Sequence, residues 1–242
     1  MNKYLKMMAF AVLSVFSLTI LSCSDDDSED TTPIKLYVGD KTVVNDATNL
    51  ESDNRFVATV TNDNNVVGSH VGETFIKVNG KKRIPVTVMG KFKTYDDPIT
   101  DWGATQAQVK AKQKQGTLSE KSDNEILAYE NAGHADLIAY FFKDGKLNAI
   151  ITLVSTTWTS EFADYLLERY LMAPIERDNE TYFVGMNALE LSQASTMVLL
   201  QVYNAKYLST YYTKNENNTK VKSRIPKSER NKIEKIIKVL NL

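Results

Sequence analysis

Cysteine and histidine, two residue types that often take part in catalysis and metal binding, are few in this sequence. The only cysteine is Cys23, so the chain beyond it has no thiolate nucleophile, disulfide or cysteine metal site. The two histidines, His70 and His134, are too few for a histidine-rich metal centre. His134 lies near Asp136 at a turn, but no Gly-x-Ser-x-Gly motif supplies a hydrolase nucleophile. The sequence therefore predicts no enzyme, no metal and no cofactor, and a hydrolase with an unrecognised site remains the alternative.

Aromatic side chains are the other candidates, because they suit recognition of sugars and protein partners. Most aromatic residues of the second half, including Trp158, occur at strand or helix spacing and are expected in the core. The stretch 207–212 shows no clear buried face, so Tyr207, Tyr211 and Tyr212 are predicted as ligand contacts. Trp102 is predicted to be a packing anchor.

Residues 1–22 have the pattern of a signal peptide. Lys3 and Lys6 give a positive start, and the apolar run 7–21 is too short for a comfortable transmembrane helix. The run ends in Ile20-Leu21-Ser22-Cys23, which resembles a lipobox. The resemblance implies cleavage before Cys23 and a membrane anchor through lipid on that residue. The alternative is an ordinary signal peptide whose cysteine is incidental.

Residues 23–32 form an acidic tether. Five of its residues are acids, namely Asp25, Asp26, Asp27, Glu29 and Asp30. Like charges repel one another and keep such a run extended. The run also resembles the export signal of surface lipoproteins in the Bacteroidota, which implies display on the outer face of the outer membrane. A periplasm-facing anchor is the alternative. Asp30-Thr31-Thr32 resembles the O-glycosylation acceptor of the same phylum, with Thr31 as the modified residue.

Residues 33–90 have the pattern of an all-β sandwich. Short apolar runs are separated by turn residues, and Asn79-Gly80 between alternating residues predicts a hairpin. The segments "LYVGDKTVV", "FVATVTNDNNVVGSHVGETFIKVNG" and "IPVTV" resemble a bacterial Ig-like domain of the group 2 type. The resemblance implies a spacer or an adhesive module. His70 lies within it, where we expect a surface position.

Residues 95–213 are predicted to form an α+β domain. A capping box at Thr105 and Gln108 begins one helix, Gly116 is its expected stop, and the run 160–171 predicts another that ends at Ala173-Pro174. Strands are expected in groups of three after each helix, listed here by number: 125–130, 136–142, 146–154, 181–186, 188–193 and 196–203. This internal duplication would place two helices on one antiparallel sheet. The plan is similar in topology to the β-lactamase inhibitor protein, a binding module. The polar linker at Asp96-Asp97-Pro98 predicts that the two domains melt separately.

Residues 214–242 form a basic tail with a predicted amphipathic helix after Pro226. One possibility is that the helix lies on an anionic surface or on a partner. The other, which we favour, is that it packs back on the α+β domain and exposes its lysines to water. The net charge of −1 gives no field that would attract nucleic acid. The sequence thus predicts a lipid-anchored outer-membrane protein at the cell surface that binds an unknown glycan or protein without catalysis. A periplasm-facing structural or assembly lipoprotein is the alternative.

Overall fold

The computed structural model describes residues 32–177, 180–216 and 225–240, which form mostly β structure in several sheets. The predictions for Cys23, for Asp25, Asp26, Asp27, Glu29 and Asp30, and for Thr31 lie outside the described residues. Before position 90 the strands are β1 (Ile34–Tyr37), β2 (Lys41–Val43), β3 (Leu50–Ser52), β4 (Ala58–Val60), β5 (Asn65–Gly68), β6 (Gly72–Val78) and β7 (Lys82–Met89).

These strands form two sheets that share one core. One sheet has the order β1-β7-β6-β3, with β1 parallel to β7, and the other has the antiparallel order β2-β5-β4. Residues from both sheets meet in a single apolar cluster, including Ala58 and Val66 from one sheet and Ile76 and Val86 from the other. The expected hairpin joins β6 to β7, and Asn79 and Gly80 both have the positive φ of its turn.

The second part is built on one antiparallel sheet with the order β12-β13-β14-β15-β11-β10-β9-β8. Its strands are β8 (Thr117–Leu118), β9 (Ile126–Ala132), β10 (Ala135–Lys143), β11 (Lys146–Ser155), β12 (Leu171–Arg177), β13 (Glu180–Met186), β14 (Thr196–Val202) and β15 (Tyr207–Lys214). The helices are α1 (Gln106–Lys112), α2 (Thr159–Leu167), which a 3₁₀ turn (Thr156–Trp158) precedes, and α3 (Lys227–Leu240).

The expected duplication of helix and strands appears in the order of these elements, with four strands after each of the first two helices instead of three. Each group of four forms a meander, and the groups meet where β11 pairs with β15. Residues 188–193, expected as a strand, form bends and turns. The helix predicted over residues 160–171 ends earlier, and residue 171 begins strand β12, which covers residues 171–177.

Both faces of the large sheet are covered over much of their area. Helices α1 and α2 pack on one face through residues such as Val109, Phe162 and Tyr165. Ile225 and Ile237 from the tail pack on the other face, and Lys232 of α3 pairs with Glu125. The tail helix therefore packs back on the sheet, as we favoured. Every helix in the described part of the chain is too short or too polar to cross a membrane.

Candidate functional site

Residues 90–97, here named the joining segment, connect the two parts of the chain and lie against α2. The sequence predicts a polar linker at Asp96-Asp97-Pro98, where both aspartates are exposed, but the preceding Thr94 and Tyr95 are fully buried. The Tyr95 hydroxyl lies 2.7 Å from the Tyr212 hydroxyl and 3.2 Å from that of Thr152. Burial raises the pKa of Tyr95 to about 12. Tyr95 thus ties the joining segment to the core of the second sheet.

Glu168, just after α2, holds the start of the joining segment. Its carboxylate accepts hydrogen bonds from the N–H groups of Lys91 (2.8 Å) and Phe92 (3.0 Å). Its backbone carbonyl accepts from the N–H of Val71 (2.8 Å), which belongs to the first part of the chain. A Cβ at Gly90 would lie 2.7 Å from the Glu168 carboxylate, so any larger residue would displace that side chain from its present position.

Arg169 and Asp97 tie the other end of the joining segment to α2. The Arg169 guanidinium pairs with the Asp97 carboxylate and lies 3.8 Å from the centre of the Tyr165 ring. The Tyr165 hydroxyl donates to the same carboxylate at 2.8 Å. These contacts, together with those of Glu168, form a hydrogen-bonded joint between the two parts.

A group of side chains at the start of α2, here named the aromatic platform, combines an exposed ring with charge. The Trp158 and His134 rings stack with centroids 3.6 Å apart and planes 10° apart. His134 Nδ1 lies 3.3 Å from Glu161 Oε1, and the Thr94 hydroxyl donates to that same oxygen at 3.2 Å. The His134–Glu161 contact lacks hydrogen-bond geometry, so it is an ionic contact when the imidazole is protonated. Trp158 keeps 39% of its surface exposed.

The platform is fixed by the turn between β9 and β10. The N–H of His134 donates to the Thr94 carbonyl at 2.6 Å. Gly133 has φ +66°, and a Cβ there would lie 2.6 Å from the same carbonyl oxygen. Glycine is therefore required at the turn that aims His134 at Trp158.

No family model matches this chain, and no curated protein matches it either.

The platform does not have the arrangement of a catalytic triad. In a triad the histidine lies between the nucleophile and the acid, so that it can take the proton from the nucleophile. Here Glu161 lies between the Thr94 hydroxyl and His134. Within the described residues there is also no group of three acidic or histidine side chains that could hold a metal ion. The geometry suits recognition through an aromatic ring and neighbouring polar groups.

The tyrosines predicted as ligand contacts are core residues in this structure. Tyr207, Tyr211 and Tyr212 lie on β15, in the middle of the sheet, with at most 2% of their surfaces exposed. Tyr212 faces the helices α1 and α2, whereas Tyr207 and Tyr211 belong to the cluster under α3. The expectation that this stretch has no buried face was wrong, because both of its faces are buried. These three tyrosines are therefore core residues and are not positioned to contact a ligand.

The other aromatic and histidine predictions have mixed outcomes. Trp102 packs against the core and donates its indole N–H to the Thr196 hydroxyl at 3.0 Å, as expected of an anchor. His70 was expected at the surface, but it is half-buried and stacks on Phe56 at 3.9 Å. The sequence predicts Trp158 in the core, and this was wrong, because its ring is 39% exposed. The sequence places His134 only beside Asp136 and does not indicate Glu161, because nothing in the spacing links residues from different elements.

A cavity of about 390 Å³, here named the joint cavity, lies between the first part of the chain and the joining segment. Apolar groups from Val71, Met89 and Phe92 line it. Its charged lining residues are Glu73, Lys93, Asp96, Asp97 and Arg169. The cavity and the aromatic platform thus lie near opposite ends of α2.

Proposed function

We propose that this chain is a lipid-anchored protein of the outer membrane, displayed at the cell surface, that binds a ligand without catalysis. The lipobox-like Ile20-Leu21-Ser22-Cys23 and the acidic run at residues 25–30 support the anchor and its outward orientation. A periplasm-facing lipoprotein would have the same lipid anchor but would not be exposed at the cell surface.

We propose further that residues 33–90 are a bacterial Ig-like spacer and that residues 95–213 are the α+β binding domain. The two facing sheets of the first part, with their shared core, support the spacer. The two helix-and-meander halves on one sheet support a binding domain of the kind that the sequence suggests. Fold alone does not identify a ligand.

The observation that carries the binding function is the aromatic platform. Trp158 is exposed, yet its ring is held against His134, whose backbone is fixed by Thr94 and Gly133. An exposed indole held in one orientation loses little conformational entropy when a ligand packs on it. Glu161 next to the ring accepts hydrogen bonds from hydroxyl or N–H groups. We propose that a glycan is the ligand of this platform.

The lipid anchor and the surface location are tested on the mature protein in its own cells. Mass spectrometry of the N-terminus should find a lipidated Cys23, and external protease should digest the protein on intact cells. Replacing Asp25, Asp26 and Asp27 with Ala should protect it from the protease. An unmodified chain starting elsewhere, or full protection of the wild type, would contradict the proposal.

The binding function is tested with purified mature protein on an array of glycans. Trp158→Ala should abolish the binding seen with the wild type. Tyr37→Ala, which removes an aromatic ring 46% exposed on β1, is the matched control and should bind as the wild type does. Binding that survives Trp158→Ala would remove the platform from the function.

A further inference from the structure

We infer that the joint cavity is a second binding site, for one uncharged, hydroxyl-rich ring such as a single pyranose unit of a glycan. This inference rests on the proposed binding function and names the chemistry of a site separate from the aromatic platform. A volume of about 390 Å³ lies within the range of small-molecule sites, about 300–1,000 Å³. Junctions between two packed parts of a protein are also common positions for such sites.

The lining of the cavity has an apolar wall and a polar rim. Val71, Met89 and Phe92 are partly buried and provide apolar surface. Glu73 and Asp96 are exposed acceptors at the rim, and Lys93 beside them is a donor. A pyranose has C–H groups that fit an apolar wall, and its hydroxyls both donate and accept. The ring therefore matches both kinds of lining, whereas a purely apolar ligand would match only the apolar wall.

The balance of charges selects against an anionic ligand. The cavity has three carboxylates, those of Glu73, Asp96 and Asp97, against the two cations Lys93 and Arg169. Arg169 is already neutralised, since it pairs with Asp97 and lies 3.5 Å from the Glu168 carboxylate. Lys93 lies 3.6 Å from Asp96. An incoming carboxylate or phosphate would therefore meet net negative charge.

One wall of the cavity is held in place by contacts within the protein. The Arg169 side chain is only 11% exposed and is held by Asp97 and the carbonyl of Tyr165, at 3.1 Å. Gly90 lies directly against the Arg169 and Glu168 side chains. A fixed wall of this kind reduces the ordering that binding requires.

The test uses ligand-observed NMR on the full mature protein with methyl glycosides of glucose, galactose, mannose and N-acetylglucosamine as probes. Glucuronic acid serves as the anionic probe. We expect saturation transfer to at least one neutral glycoside and none to glucuronic acid. Thr87→Trp, which fills the cavity from β7, should abolish the signal that remains in a Trp158→Ala protein, where the aromatic platform no longer contributes. Asp96→Asn should weaken binding by about tenfold, since hydrogen bonds to charged groups contribute about 1.5–3 kcal/mol.

Two controls keep the inference distinct from the proposed function. Glu120→Gln removes an exposed carboxylate outside the cavity and should leave binding unchanged. Thermal unfolding of each variant checks that the fold is intact. The inference fails if no neutral glycoside binds the wild type, or if glucuronic acid binds as well as they do. It also fails if the signal survives both cavity variants and disappears only in Trp158→Ala, a result that would leave the proposed function standing.

Discussion

Tyr95 is the residue on which the joining segment depends most. Its hydroxyl shares a buried hydrogen bond with Tyr212, on the central strand β15. Tyr95→Phe would leave the buried Tyr212 hydroxyl without this partner, which costs about 1–3 kcal/mol. We expect the free energy of unfolding in urea to fall by that amount.

Tyr37→Phe is the control for this change, because Tyr37 is 46% exposed and its hydroxyl can bond to water. Its unfolding free energy should match that of the wild type. Equal stability of the Tyr95→Phe protein and the wild type would show that the Tyr95–Tyr212 contact contributes nothing.

His70 gives the first part of the chain a dependence on pH. Burial lowers the pKa of His70 below its ordinary value of 6.5, and the Phe56 carbonyl, 2.8 Å from Nδ1, partly opposes this effect. The unfolded chain therefore binds a proton at a higher pH than the folded chain does. The stability from neutral His70 is complete above pH 6.5 and is lost as the pH falls through the lower folded-state pKa.

The corresponding measurement is urea unfolding at a series of pH values for the wild type and His70→Gln. The loss of unfolding free energy below pH 6.5 should be smaller in the variant. Identical slopes for the two proteins would contradict the assignment.

At the residue scale, the sequence shows which reactive side chains are present better than it shows where they lie in the fold. It shows one cysteine, Cys23, and two histidines, which limits the nucleophiles and metal ligands that the chain can supply. It does not show that Tyr207, Tyr211 and Tyr212 are buried, because a strand covered on both faces has no alternation of polar and apolar residues. The aromatic platform is invisible for a different reason, since its members come from a turn, a 3₁₀ segment and a helix.

At the scale of elements, Glu168 decides how the joining segment is held. Its side chain is 7% exposed and accepts two backbone hydrogen bonds. Glu168→Gln keeps the size of the side chain but removes its charge. The amide oxygen can still accept one of the two backbone hydrogen bonds, whereas the amide NH₂ would face the other backbone N–H, and two donors cannot bond to each other. We expect a loss of about 2 kcal/mol in unfolding free energy.

The matched control is Glu120→Gln, which makes the same chemical change at an exposed position. Circular dichroism during urea unfolding would compare the two variants. A Glu168→Gln protein as stable as the Glu120→Gln protein would mean that the joint contributes little.

The misassigned stretch at residues 167–177 has a physical explanation. The apolar stripe and Pro174 predict a helix that ends before the proline, but α2 ends at Leu167 and the chain continues as β12. Among the described strands β12 pairs only with β13, so it forms an edge of the sheet. A proline is tolerated on an edge strand, because an N–H that faces away from the sheet has no ladder bond to make.

At the scale of the whole molecule, the two parts should unfold together. The sequence predicts separate melting, but residues 31–242 cluster as one compact unit and the joint links Val71, Lys91 and Phe92 to Glu168. We expect a protein of residues 31–242 to show one calorimetric transition, with equal calorimetric and van't Hoff enthalpies.

The comparison is with two fragments, residues 31–92 and 93–242. Each loses part of the joint, so each should melt at a lower temperature than the intact protein. Two transitions in the intact protein that match those of the fragments would restore the picture of independent domains.

The fold is predictable from the sequence where a local signal exists. The Asn79-Gly80 hairpin and the capping box of Thr105 with Gln108 appear where they are predicted. The pairing of β11 with β15 has no such signal, because it joins two halves that are distant in sequence. The same is true of the joint, because Thr94 and Tyr95, next to the exposed Asp96 and Asp97, are buried against partners that are distant in sequence.

Synthesis reaches β15 late, although this strand lies in the middle of its sheet. Until Tyr207–Lys214 has been made, β11 and β14 each have an edge without its neighbour. Contacts such as that between Ile151 and Tyr211 join distant positions, and topologies of this kind fold slowly. The large sheet therefore becomes complete only after β15 has emerged. For a protein that we propose to be exported, this order delays completion of the sheet in the nascent chain.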